Sequence, residues 1–187
     1  MDGFLLSLIL VFALALGGRD QALVGQWSDA LGQSAPLLLT GITAAALSAA
    51  AMAWLGAEFA ALLPRRAAQM LVAFALGAAA LELAWPVKPI QPQEPTRSLG
   101  AIAIVLLARQ ICDAARFAVF ALAAWASLPV AAGLGGALGG AAAVTLGWAV
   151  GGAGLARWPL RALRWGLAAC LFVAAVFIGL NARFVAF

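Results

Sequence analysis

The chain has no histidine, and only 10% of its 187 residues are charged. The missing imidazole excludes histidine-ligated metals, haem iron and a Ser-His-Asp relay. Ordinary soluble domains carry about a quarter charged residues, so a charge content this low points away from that class. The two cysteines, Cys112 and Cys170, both lie in apolar stretches. They read as small buried hydrophobes, not as a disulfide or a metal pair. The sequence offers no nucleophile–base pair and no metal-ligand cluster, so neither an enzyme nor a bound cofactor is expected.

What the chain does have is apolar surface: 66% of its residues are hydrophobic, with a mean hydropathy of +1.06. At roughly twenty residues per span, 187 residues accommodate six transmembrane helices with short loops. The expected fold is therefore an all-α integral membrane protein forming a single domain in contact with the lipid bilayer. The spans are predicted over residues 4–24 (loosened at Gly17-Gly18), 36–63, 67–85, 99–126, 130–153 and 165–180. Pro64-Arg65-Arg66 and the segment with Arg157, Arg161 and Arg164 make basic turns, and Glu58 and Glu82 lie near span ends as interface residues. Pro86 to Arg97 holds four prolines, so it cannot continue a helix and forms the main loop.

The net charge of +4 does not imply nucleic-acid binding, because the basic residues fall mostly between spans, where lipid contact and topology explain them. With Arg19 counted as loop, the positive-inside rule places Arg19, Lys88, Arg97, Arg157, Arg161 and Arg164 in the cytoplasm and both termini outside. Arg65, Arg66 and Arg183 fall on the other side, and with Arg19 in the membrane the margin narrows to five against three. Compact size and the lack of a targeting presequence suggest a bacterial inner membrane. Small residues crowd the second and fifth spans, including the run GLGGALGG. They let helix backbones approach closely in lipid and would also permit a homo-oligomer.

Two polar interruptions stand out. From Leu99 to Ala126 the chain carries Arg109, Gln110, Asp113 and Arg116 inside an apolar segment. On one continuous helix, Arg109 to Asp113 is i,i+4 and Asp113 to Arg116 is i,i+3, so one acid would face two guanidinium groups. Near residues 15–21, Arg19, Asp20 and Gln21 follow Gly17-Gly18. Ionisable groups at membrane depth are costly, which makes such segments candidates for a functional site.

The two halves come into register at an offset of 95 residues. Gly41 falls on Gly136, Gly56 on Gly151, Pro64-x-Arg66 on Pro159-x-Arg161, and the segment Ala15–Gln21 on Gln110–Arg116. Three spans per copy means that the second copy enters the membrane from the opposite side. Two inverted three-helix repeats follow, about 4–85 and 99–183, a plan that places a transporter's site at the repeat interface.

With these features the chain resembles the Gdt-type cation/proton exchangers of Golgi, chloroplast and bacterial membranes. Their two repeats each carry Glu-x-Gly-Asp-(Lys/Arg)-(Ser/Thr), usually followed by Gln. The resemblance extends over nearly the whole chain and includes the turn at Leu62–Arg66 and the glycine-rich fifth span. In the first copy the signature falls on Ala15, Gly17, Gly18, Arg19, Asp20 and Gln21. In the second it falls on Gln110, Cys112, Asp113, Ala114, Ala115 and Arg116. Gly17, Arg19, Gln21 and Asp113 fit the pattern. The resemblance implies exchange of manganese or calcium against protons by paired acids. The first reading of this chain then takes Asp113 and Asp20 as ion ligands or proton carriers and Gln21 and Gln110 as neutral oxygen ligands. Arg19 and Arg116 would line the same pathway. Two other readings fit the changed motif: a non-transporting packing partner or accessory subunit, or a transporter of an anionic or neutral solute contacted by Arg19 or Arg116.

Overall fold

The computed structural model describes residues 2–86 and 98–184, and every regular element among them is helical. The helices are α1 (Asp2–Ala15), α2 (Arg19–Leu31), α3 (Ala35–Leu62), α4 (Arg65–Ala84), α5 (Leu99–Gln110), α6 (Ala114–Trp125), α7 (Pro129–Leu155) and α8 (Leu160–Phe184). The expected proline-rich loop lies, from residue 87 to 97, outside the described residues.

Helices α3, α4, α7 and α8 are long and apolar enough to cross a membrane; α1 and α2 qualify as a fifth span if the bent pair is counted as one. The remaining expected span is divided. Helices α5 and α6 have twelve residues each, about 18 Å apiece at the helical rise, against a hydrocarbon core of about 30 Å.

Sequence dictates where the helices begin. Pro36 sits in the first turn of α3 and Pro129 opens α7, positions where the missing N–H has no intrahelical partner to lose. The two breaks have different origins. Between α1 and α2 the chain turns through 62°, with Gly17 at φ +69°, a conformation that costs a residue with a β-carbon and suits glycine. Between α5 and α6 no glycine is needed: Asp113 is extended at φ −88° and ψ 145° and serves as the N-cap of α6. The expectation of one continuous helix from Leu99 to Ala126 is corrected here. With the helix interrupted after Gln110, Arg109 and Asp113 are no longer one turn apart on a common face.

The interior is built from small side chains. Ala45, Ala49, Ala79, Ala114, Ala115, Ala118, Gly136 and Gly140 are buried, while Trp54, Phe74, Leu81, Phe172 and Phe177 are exposed. This distribution suits lipid, where close backbone packing replaces a hydrophobic drive between helices. Glycine makes the closest approaches possible. A β-carbon on Gly139 of α7 would stand 2.5 Å from the Leu8 carbonyl oxygen of α1. Helices α3 and α7 pack on each other; α2 lies against α7, α6 against α3, and α4 against α8. Both cysteines are free and exposed, so they face outward and do not fill the core as expected.

Candidate functional site

The site forms where the two helix breaks meet, against the middles of α3 and α7. Ala15, Gly18, Asp20 and Gln21 from the first break, and Gln110, Asp113 and Arg116 from the second, line one small cavity with Gly140, Ala143 and Val144 of α7. Its volume is about 20 Å³, room for one water molecule or a bare ion. Residues 15–21 and 110–116 are nearly a hundred positions apart in sequence, and only packing brings them together.

Each long polar side chain is held by a specific partner. The backbone N–H of Gly17 donates to Gln21 Oε1 at 2.7 Å, and Gln21 Nε2 donates to the Ala143 carbonyl at 3.0 Å. Gln21 thus ties the first break to the centre of α7 while being 2% exposed. On the other side, Arg116 Nε donates to Ser48 Oγ at 2.6 Å, and Ser48 Oγ donates to Gln110 Oε1 at 2.7 Å. Ser48 therefore accepts from a cation and hands its own proton to an amide oxygen, linking α3 to both ends of the second break. A buried hydroxyl used in both directions leaves no unsatisfied group of its own.

One donor in this network is unmatched. Arg116 Nη1 is buried without a hydrogen-bond partner. The guanidinium lies over Gly140, where a β-carbon would meet Nη2 at 3.1 Å and Nη1 at 3.2 Å. Any larger residue at 140 would press on the arginine. A buried, unpaired donor of a charged group is costly, and the residue that carries it lines the cavity.

Arg19 departs from the expected arrangement. Its side chain is 43% exposed, does not line the cavity, and lies with Nε 3.7 Å from Glu82 Oε1. Glu82 in turn lies 3.4 Å from Arg164 Nη2, and its side chain is only 12% exposed. The expectation of an Arg164 in a basic turn is corrected: Arg164 belongs to α8 and is 5% exposed. Arg164 also donates to the carbonyl oxygens of Glu82 at 3.2 Å and Gly17 at 3.4 Å. Among the described residues, the ion pairs within 4.0 Å are those of Glu82; none joins Asp113 to Arg109 or Arg116.

The cavity itself is thus lined by two carboxylates, Asp20 and Asp113, and one guanidinium, Arg116. Charge counting along the sequence, which adds Arg19 and Arg109, makes the region more positive than the lining is. Among the described residues no group of three or more His, Cys, Asp or Glu side chains is placed to hold a metal ion. Asp20 and Asp113 would have to share a cation with amide and backbone oxygens or water.

Sequence reasoning misses Ser48, Gly140, Glu82 and Arg164 as parts of this network. Ser48 is one hydroxyl in an alanine-rich span, and its offset partner, Ala143, has no side chain that would draw attention. No family model matches the chain, and no curated protein and no solved structure matches it.

Proposed function

We propose that the chain is a secondary transporter of the cation/proton exchanger type, built from two inverted three-helix repeats in a bacterial inner membrane. In this reading α1–α2 and α5–α6 are two broken spans, each followed by two longer helices, of which α7 is kinked near its end at Gly151. The observation that carries it is the meeting of both breaks at one cavity lined by Asp20 and Asp113, the arrangement that inverted-repeat transporters use for their ion sites.

The 95-residue offset supports the repeat in detail. Gln21 reaches Ala143 and Arg116 reaches Ser48, and the offset carries the first pair onto the second. A β-carbon on Gly56 would strike the Phe120 backbone, and one on Gly25 would lie 3.0 Å from the Gly151 carbonyl carbon. The offset relates those contacts too, Gly25 to Phe120 and Gly56 to Gly151. A chance alignment of small residues would give matched letters without matched contacts.

In the mechanism, Asp20 and Asp113 alternate between holding a proton and holding a cation, with the oxygens of Gln21 and Gln110 completing the coordination. Manganese and calcium are the first cations to test, because carboxylate and amide oxygens are hard ligands. Arg116 offsets part of the negative charge and limits how many positive charges the site accepts.

The test is proton-driven manganese and calcium flux in proteoliposomes, comparing the parent with Asp113→Asn. Flux that depends on Asp113 supports the reading. Absence of flux for both ions, with both proteins folded, sinks it. The unpaired Arg116 Nη1 favours a second reading, transport of an anionic or neutral solute that accepts from that donor. Flux of chloride or of a neutral polar solute that is lost in Arg116→Gln would select it. Absence of all flux would leave an accessory subunit.

A further inference from the structure

A second, larger cavity of about 470 Å³ opens at the surface where α4 ends and α8 begins. It is lined by Gly17, Leu83, Trp85, Leu160, Arg161 and Arg164, among others. Tryptophan and arginine at helix ends mark a membrane–water interface, so water has access there. Arg164 lines this vestibule and pairs with Glu82, and the break joins the two cavities: Gly17 lines the vestibule, and Gly18 beside it lines the small cavity with Asp20 and Asp113.

We propose that Glu82 and Arg164 form the closed gate between this vestibule and the inner site; the inference rests on the transporter reading. A continuous chain of contacts connects the two cavities. Glu82 holds Arg164 at 3.4 Å, Arg164 holds the Gly17 carbonyl at 3.4 Å, the Gly17 N–H holds Gln21 at 2.7 Å, and Gln21 lines the inner cavity. Releasing the ion pair therefore loosens the guanidinium that holds the Gly17 carbonyl at the helix break.

The geometry suits a contact made to open. Every hydrogen bond that Arg164 donates measures 3.2 to 3.5 Å, at the long end for a charge-assisted bond, so the guanidinium is shared among several acceptors and tightly held by none. The hinge is ready-made: Gly17 sits at positive φ beside Gly18, and a β-carbon on Gly17 would stand 2.8 Å from the Leu160 β-carbon of α8. Opening needs only that α8 and the break separate.

The repeat does not explain the pair. At the 95-residue offset Glu82 corresponds to Phe177 and Arg164 to Gln69, so the second copy has no such contact. A pair that served only to dock the two repeats on each other would be expected twice, once in each direction. Its presence on one side fits a gate shut toward one face of the membrane.

The experiment measures entry into the inner site on the full chain in detergent. Cys112 and Cys170 are replaced by alanine, and Ala15→Cys places a thiol on the inner cavity. Its rate of modification by an uncharged methanethiosulfonate is then compared among gate variants, so that the charge of the lining does not itself change reagent access. Glu82→Gln and Arg164→Gln should each raise the rate roughly tenfold or more, because the lost contact favours the open state. Arg161→Gln, which lines the vestibule but makes no such pair, should leave it unchanged. The charge swap Glu82→Arg with Arg164→Glu should return it toward the parent value. Size-exclusion profiles identify variants that fail to fold, and the swap keeps the test decisive if a single variant does. Rates within twofold of the parent in the folded single variants, or an equal rise in Arg161→Gln, overturn the gate. Thiol entry is read without any transported ion, so a failed gate and a failed transporter reading are distinguishable.

Discussion

Arg116 Nε donates to Ser48 Oγ at 2.6 Å, across 68 residues of sequence and between helices α6 and α3. The bond fixes one edge of a buried guanidinium whose Nη1 has no hydrogen-bond partner, on a residue that lines the cavity. Ser48 is the hub, since Gln110 and Arg116, from opposite sides of the second helix break, both depend on its one hydroxyl.

Replacing Ser48 by alanine removes an acceptor from Arg116 and a donor from Gln110 and leaves both buried. The expected loss is about 1–3 kcal/mol, the range for stranding a buried polar partner. It is read as a lower midpoint of thermal unfolding in detergent. No change in midpoint would show that water replaces the hydroxyl.

Gly139→Ala should destabilise by about 1–3 kcal/mol, because the new methyl meets the Leu8 carbonyl oxygen and the Phe12 nitrogen, backbone atoms of α1 that cannot rotate away. Gly77→Ala is the contrast. A β-carbon there meets nothing within 4 Å, so the better helix former should be neutral or add up to about 1 kcal/mol. The two midpoints, measured together, separate close packing from helix propensity.

Gln21→Leu keeps the side-chain bulk and loses the contacts to Gly17 and Ala143. The first break should loosen locally while the long helices stay protected. Hydrogen exchange at the Gly17 amide should rise roughly tenfold or more, with the centre of α7 little changed.

On the proposed exchanger reading, Asp20→Asn and Asp113→Asn should each reduce cation flux roughly tenfold or more while leaving the unfolding free energy within about 0.5 kcal/mol of the parent. Because both carboxylates line one cavity, the double variant should be little worse than either single one. Additive losses would mean that the two acids act in separate places.

Much of the fold is legible in the sequence, for one physical reason: a bilayer demands long apolar helices, and composition alone reveals them. Helices α3, α4, α7 and α8 lie close to the predicted spans, and the bend at Gly17-Gly18 follows from two glycines amid apolar residues. The break before Asp113 is not legible in the same way. Its flanking residues, Ile111 and Cys112, are ordinary in a helix, and neither glycine nor proline marks the place.

The site divides along the same line. Sequence singles out Asp20, Gln21, Gln110, Asp113 and Arg116, because polar side chains in an apolar run cannot be casual. It cannot say which of them meet. Tertiary structure turns Arg19 outward to Glu82, draws Arg164 inward from a basic turn, and recruits Ser48 from an alanine-rich span. Those choices rest on distances between segments far apart in the chain, and such distances exist only once the helices have packed. The sequence by itself determined a bundle of apolar helices with two polar interruptions; packing decided that the interruptions share one cavity, and which charge faces it.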